Sequence, residues 1–260
     1  MTHRQAVAVM VLVTLLWSTA GVATRHLEAA RSFEVTFWRS AFTAVSLVGL
    51  LGWMRGPGAL WRSVRDGGRT LWVSGLCWSV MYTAFMLALT LTSVANVLVT
   101  MAIGPLLTAL ISRVALNHRL SARTWSAIVL AGVGIAWMYS GELAQGAAGT
   151  ALGMAVALAV PVAAAINWVV IQHNRGAGAH DLMPAVLIGA VLSAAVTLPM
   201  SLPLAASAHD LGLLALLGLT QLAIPCILAV RVARVLSAPE VSLLGLLEVL
   251  FGVAWAWLGA

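Results

Sequence analysis

VANVLVTMAIGPLLTALISRVAL, running from Val94 to Leu116, holds one charged residue, Arg113, in 23 positions. As a helix rising 1.5 Å per residue it is about 34 Å long, enough to cross a hydrocarbon core about 30 Å thick. Similar apolar runs recur along the whole chain, separated by connections too short to fold independently. They predict nine membrane helices at about 6–24, 34–53, 71–91, 94–116, 124–140, 151–171, 182–204, 211–230 and 241–259.

Composition supports lipid as the solvent. Of 260 residues, 62% are hydrophobic and only 8% charged, which leaves too little polar surface for a soluble domain. Cys77 and Cys226 each lie inside an apolar run and behave as small hydrophobes rather than as a disulfide framework. Met1 to Arg4 and the apolar stretch after them have the look of a signal peptide, but the run is long and many spans follow, so it reads as an uncleaved first helix.

The net charge of +6 comes from arginines placed singly between spans, so it forms no continuous basic face for nucleic acid. Those arginines instead set orientation, because cytoplasmic loops carry the positive excess. With the N-terminus inside, the cytoplasmic face receives eleven: Arg4, Arg55, Arg62, Arg65, Arg69, Arg113, Arg119, Arg123, Arg175, Arg231 and Arg234. The opposite face keeps Arg25 and Arg31, offset by Glu28 and Glu34. The expectation is a multi-pass protein of a bacterial inner membrane, N-terminus cytoplasmic.

The small-residue linker Gly141 to Thr150 divides the helices, and five before it would force a second copy of the same unit to enter the membrane inverted. A shift of 144 residues brings Ser93 onto Ser237, Val97 onto Val241 and Leu106 onto Leu250.

Leu15-Leu16-Trp17-Ser18, Phe37-Trp38-Arg39, Ala95 through Gly104-Pro105, Leu116-Asn117-His118-Arg119-Leu120 and Gly132-Val133-Gly134 resemble the drug/metabolite transporter superfamily, specifically its EamA-type members. Ser237-Ala238-Pro239-Glu240-Val241-Ser242 and Leu247-Glu248-Val249 continue the likeness in the second half. The resemblance implies an all-α polytopic fold of ten helices, five plus five in inverted repeats, around a cavity lined mainly by helices 1, 3, 4, 6, 8 and 9. Its repeats would fall at 1–141, with helices 1–5, and at 150–260, with helices 6–9 and the tenth missing. The chain departs from the family pattern at His118, where glutamate is common, and at Val249, where proline often follows the glutamate.

An ionisable group deep in a span costs roughly 2.5–3.5 kcal/mol on insertion scales, so such groups face a cavity or a partner. Glu248 stands seven residues beyond Val241, about 10 Å into the membrane, as either a site for a proton or cationic group, or a structural acid bonded to a neighbouring helix. Arg39 either locks helices or meets a substrate carboxylate. Asn96, Asn167 and Gln221 offer amides to a zwitterion or to interhelical hydrogen bonds worth about 0.6–2 kcal/mol. Trp17, Trp78, Tyr82 and Trp168 lie deeper than the interfacial tryptophans and either wall a pocket or pack. Pro105, Pro161 and Pro225 interrupt helices 4, 6 and 8, and Gly132, Gly134, Gly245 and Gly252 offer small packing surfaces.

No HExxH, GxSxG or paired intramembrane aspartates occur, the histidines lack metal-ligand spacing, and no phosphate-cradling glycine loop is present. The reading is a secondary transporter, an exporter of small organic metabolites such as amino acids, requiring no cofactor or metal and coupled to a proton, another ion or the substrate gradient alone. The alternatives are a membrane enzyme acting on lipid-linked substrates through the arginine-rich 54–70 segment, and a non-transporting scaffold or sensor.

Overall fold

The computed structural model describes residues 1–24, 26–30, 32–116, 148–175 and 180–258, with scattered helical positions between 122 and 137. All regular elements among these residues are helical. The predicted fifth span, His118 and the Gly132–Gly134 pair lie outside the described residues.

Helix α1 (His3–Trp17) starts at a capping box in which the Thr2 hydroxyl accepts from the Gln5 amide and the Gln5 side chain accepts from the Thr2 amide. The Ser18 and Thr19 hydroxyls then donate to the carbonyls of Leu15 and Leu16, both at 2.7 Å. This back-bonding accompanies a break before the short α2 (Ala20–Thr24), so the single helix expected at 6–24 is two pieces.

After α3 (Ser32–Arg55), Gly56 takes φ 82° and Pro57 opens a further helix, α4 (Pro57–Arg65). The sequence reading had only a connection here; α4 buries Leu60 and exposes Trp61. Helix α5 (Gly68–Leu91) follows, then α6 (Val94–Met101) and α7 (Gly104–Leu116), separated at Ala102–Ile103. Pro105 has no N–H for the Met101 carbonyl, which accounts for the interruption. Helix α8 (Ala148–His173), by contrast, runs unbroken through Pro161, correcting the expected interruption there.

Helix α9 (Met183–Ser201) precedes α10 (Ala208–Leu217), a π-helical turn at Gly218–Ala223, and α11 (Ile224–Val232). Pro225 cannot donate to the Gln221 carbonyl, and the wider π turn absorbs that defect without ending the span. The chain closes with α12 (Ala238–Gly245) and α13 (Leu247–Leu258), which divide the predicted ninth helix at Leu246. Among the described residues, six stretches are long and apolar enough to cross a membrane: Phe33–Arg55, Gly68–Leu91, Asn96–Leu116, Ala151–His173, Met183–Ser201 and Ala208–Val232; α1 is a shorter apolar helix.

Helix α8 packs on α5, α6, α7 and α12, α9 packs on α3 and α5, and α1 lies against α11, α12 and α13. Glycine sets the α5–α9 approach. A Cβ on Gly189 would fall 2.4 Å from Cβ of Trp78, and one on Gly75 would fall 2.6 Å from Cγ2 of Ile188. A Cβ added at Gly245 or Gly252, expected as packing surfaces, would meet nothing within 4 Å among the described residues. The close contact therefore uses different glycines.

Charge is sorted by end. Asp181 joins Arg55 and Arg234, and the Arg175 guanidinium donates to the carbonyls of Ala233 and Leu236. Nearby, His3 meets Glu240 at 3.1 Å, and donation from the Ser237 hydroxyl and amide holds the Glu240 carboxyl below its usual range. The other end is laced by two acids: Asp210 accepts from the amides of Glu28, Ala29, Ala30 and Ser207 at 2.8–3.3 Å. Glu34, in the first turn of α3, accepts from the amides of Ala205 and Ala206 at 2.9 and 2.7 Å and from the Trp38 indole.

Candidate functional site

A cavity of about 140 Å³ lies among the helices, with room for roughly ten waters or a small metabolite. Its wall draws on α1 through Met10 and Trp17, on α3 through Arg39, and on α5 through Trp78, Met81, Tyr82 and Phe85. Met101, Gly104 and Pro105 come from the α6–α7 break, Val160, Pro161, Ala164 and Trp168 from α8, and Gln221, Leu222 and Cys226 from the π turn and α11. The break between α12 and α13 supplies Gly245, Leu246, Glu248 and Val249. Segments on both sides of the Gly141–Thr150 linker thus contribute.

Most of this wall is apolar, which makes its polar members conspicuous. Arg39 is 2% exposed, and its guanidinium makes one long hydrogen bond among the described residues, from Nη2 to the Tyr82 carbonyl at 3.4 Å, leaving Nε without a partner. Glu248 also faces the cavity and lies within electrostatic reach of Arg39, yet no ion pair within 4 Å joins them. Two opposite charges therefore look into one small space without neutralising each other directly.

The aromatic wall is stacked in a fixed order. Trp78 meets Trp168 edge-on at 5.7 Å and tilts against Tyr82, also at 5.7 Å, and Gly189 abuts the Trp78 Cβ from behind. Among the described residues, the Trp78 indole N–H and the Tyr82 hydroxyl find no oxygen or nitrogen acceptor, although the hydroxyl faces the Cys226 thiol. Gln221 donates to the Trp17 carbonyl at 3.2 Å, leaving its own Oε1 without a partner. The polar side chains of this wall belong to Arg39, Trp78, Tyr82, Gln221 and Glu248, and the aromatic rings among them give it faces for an apolar body.

Of the residues singled out in the sequence, Glu248, Arg39, Gln221, Trp17, Trp78, Tyr82 and Trp168 line the cavity, and so do Pro105 and Pro161. Asn96 and Asn167 do not. Asn96 sits in the first turn of α6, its side-chain amide donating to the Thr92 hydroxyl at 3.0 Å while Ser93 caps the helix, and Asn167 accepts from Ser74 at 2.6 Å in the α5–α8 interface. Both carry the interhelical or local bonding that was the alternative for any amide in a span. Arg39 brings the second predicted span into the wall, beyond the helices 1, 3, 4, 6, 8 and 9 that the resemblance implies.

Sequence reasoning passed over Cys226, Met10, Met81, Phe85, Met101 and Ser242. Nothing in their residue type separates them from packing residues. Cys226 and Met10 have no exposed surface at all, so burial would not have flagged them either. For Cys226 the available signal was its distance of one residue from Pro225, just past the π turn.

Comparison with known proteins bears on the fold and the family. Four chains of solved structure match, among them one whose description reads only "Crystal structure of protein". It superposes with a TM-score of 0.68, is 21% identical, and the alignment covers 99% of this chain and 88% of that one. That likeness concerns the fold. No curated protein matches the sequence. The family model described as "EamA-like transporter family" matches residues 4–140, just over half the chain, and the polytopic helical protein with this central cavity belongs to the EamA-like transporter family.

Proposed function

We propose that the chain is a secondary transporter that exports small organic metabolites such as amino acids by alternating access. Two inverted repeats, 1–141 and 150–260, rock around the cavity, with the N-terminus on the cytoplasmic side of a bacterial inner membrane. The observation that carries this reading is the central cavity walled by both halves, in which Arg39 and Glu248 stand unpaired among apolar and aromatic side chains. A buried charge is expensive unless it is paired or serves a site. Family membership points the same way.

Interruptions sit where alternating access needs them. The α6–α7 break, the π turn and the α12–α13 break all border the cavity, and broken helices at mid-membrane are a recurrent feature of carriers that rock about a central site. Glu248, in the first turn after the last of these breaks, takes up and releases a coupling proton.

The test is transport by purified protein in sealed vesicles. Proteoliposomes loaded with a bacterial small-molecule extract are given an inward-directed pH gradient, and the external solution is profiled by mass spectrometry. Protein-dependent release of a defined set of small amphipathic metabolites, faster with the gradient, is the expected result. Release no different from empty liposomes, together with turnover of a lipid-linked substrate, overturns the transporter reading in favour of an enzyme.

A further inference from the structure

Resting on the transporter reading, we infer that the cavity takes zwitterions in one orientation, with Arg39 binding the carboxylate and Glu248 the cationic group. The apolar remainder lies against Trp78 and Trp168. Arg39 is therefore the residue that selects acids, and a molecule lacking a carboxylate loses the site.

The inference starts from an inventory of hydrogen bonds. A guanidinium carries five N–H donors in a planar fork, and in this protein the fork is buried with a single bond of 3.4 Å to the Tyr82 carbonyl. Burial with so few acceptors is costly, and a carboxylate that accepts two parallel bonds is the ligand whose shape matches the fork. One more donor belongs to a side chain of the same wall, the Trp78 indole, which lacks an acceptor among the described residues. Underserved donors on Arg39 and Trp78 in one wall suit an anion.

Glu248 fixes the other half. It shares the cavity with Arg39 and feels its charge, but stands too far away to pair directly. A free anion such as acetate would satisfy Arg39 and leave the Glu248 carboxylate facing added negative charge. An α-amino acid satisfies both, because one carbon carries the carboxylate and the ammonium that the two side chains call for. Gln221, whose amide donates to the Trp17 carbonyl, lines the same cavity. The T-shaped Trp78–Trp168 pair then supplies an apolar wall for a branched or aromatic side chain.

The experiment uses four probes of one shape: L-leucine, L-leucine methyl ester, 4-methylpentanoate and 3-methylbutan-1-amine. Binding to the full chain in lipid nanodiscs is followed by quenching of tryptophan fluorescence, since Trp17, Trp78 and Trp168 line the cavity. Leucine is expected to bind most tightly, with the ester and the amine weaker by about 30-fold or more, the least that loss of a buried charge pair costs. Arg39→Gln erases leucine's advantage over the ester, and Arg39→Lys, which keeps the charge but not the fork, recovers part of it. Glu248→Gln erases leucine's advantage over 4-methylpentanoate and leaves its advantage over the ester.

That crossed pattern separates ligand contact from a role in folding, which lowers all four affinities together. Equal binding of leucine and its ester, or an Arg39→Gln variant that keeps the discrimination, overturns the assignment. So does an absence of binding by all four probes. Because vesicle release from a whole extract is read independently, transport that persists alongside any of these results sinks the orientation and leaves the transporter reading standing.

Discussion

Glu248 and Asn167 are both polar groups within predicted spans, and they carry opposite expectations. Glu248 faces the cavity near Arg39 without pairing to it, which makes it the residue on which the proposed proton coupling is tested. Glu248→Gln is expected to flatten the pH dependence of transport, measured as initial release rates from proteoliposomes over a pH series, while Glu248→Asp keeps a dependence of reduced amplitude. A Glu248→Gln variant that is folded and shows the wild-type pH profile removes proton coupling from this residue. Asn167 has no exposed surface, and its Oδ1 is occupied by Ser74, with Nδ2 left over. Asn167→Leu removes that bond and is expected to cost about 0.6–2 kcal/mol of stability in thermal unfolding, with transport changed less than about twofold. These two cases show what residue type reveals at this scale. A carboxylate seven positions into a span is legible as a site because insertion makes it rare. An amide is cheap enough to serve either use, so Gln221 and Asn167 looked alike until the π turn placed one in the wall and the α5–α8 interface took the other.

Helix ends and crossings were less legible than helix cores. Apolar length located the spans, but a hydroxyl pair at Ser18–Thr19 and a proline at 105 divided two of them, while Pro161 left α8 whole. The outcome at each depends on whether neighbouring helices tolerate the lost bond, which no local pattern records. The same holds for glycine. Gly75 and Gly189 sit where α5 and α9 touch, and Gly189→Val is expected to push the Trp78 backbone away and reshape the cavity wall. Tryptophan emission should shift and probe binding should weaken by about tenfold or more, whereas Gly252→Val, with open space around it, should leave both unchanged. A wild-type emission spectrum in Gly189→Val would mean that the α5–α9 contact relaxes without moving Trp78. The acid clamps make a further prediction for segments 28–30 and 205–206. Glu34→Gln keeps the shape but replaces a charged acceptor, so the Ala205 and Ala206 amides should exchange hydrogen about tenfold faster. Asp210→Asn should speed exchange at Ala29 and Ala30 and not at Ala205. Uniform acceleration at both segments would show that the two clamps open as one unit.

Over the whole molecule the two ends differ in kind, and the proposed orientation rests on that difference. One end gathers Arg55, Arg175 and Arg234 around Asp181 and the carbonyls after α11, with the arginines of α4 on a helix that follows Arg55 directly. The other end is held by Glu34 and Asp210 through backbone amides, and Glu28 stands exposed beside them. Positive charge is retained on the cytoplasmic side during insertion, so the arginine end should face the cytoplasm and the acid end the periplasm. Single cysteines test this in a background with Cys77 and Cys226 replaced by alanine. Both native thiols are buried, and neither joins a disulfide. A membrane-impermeant maleimide added to intact spheroplasts should label Glu28→Cys and spare Arg62→Cys, and permeabilising the membrane should expose the second. The opposite pattern reverses the orientation. Labelling of both positions in intact spheroplasts would place α4 and the Asp210 clamp on one side of the membrane. An odd number of crossings between residues 28 and 62 would then be impossible, and the reading of α3 as a span would fail with it.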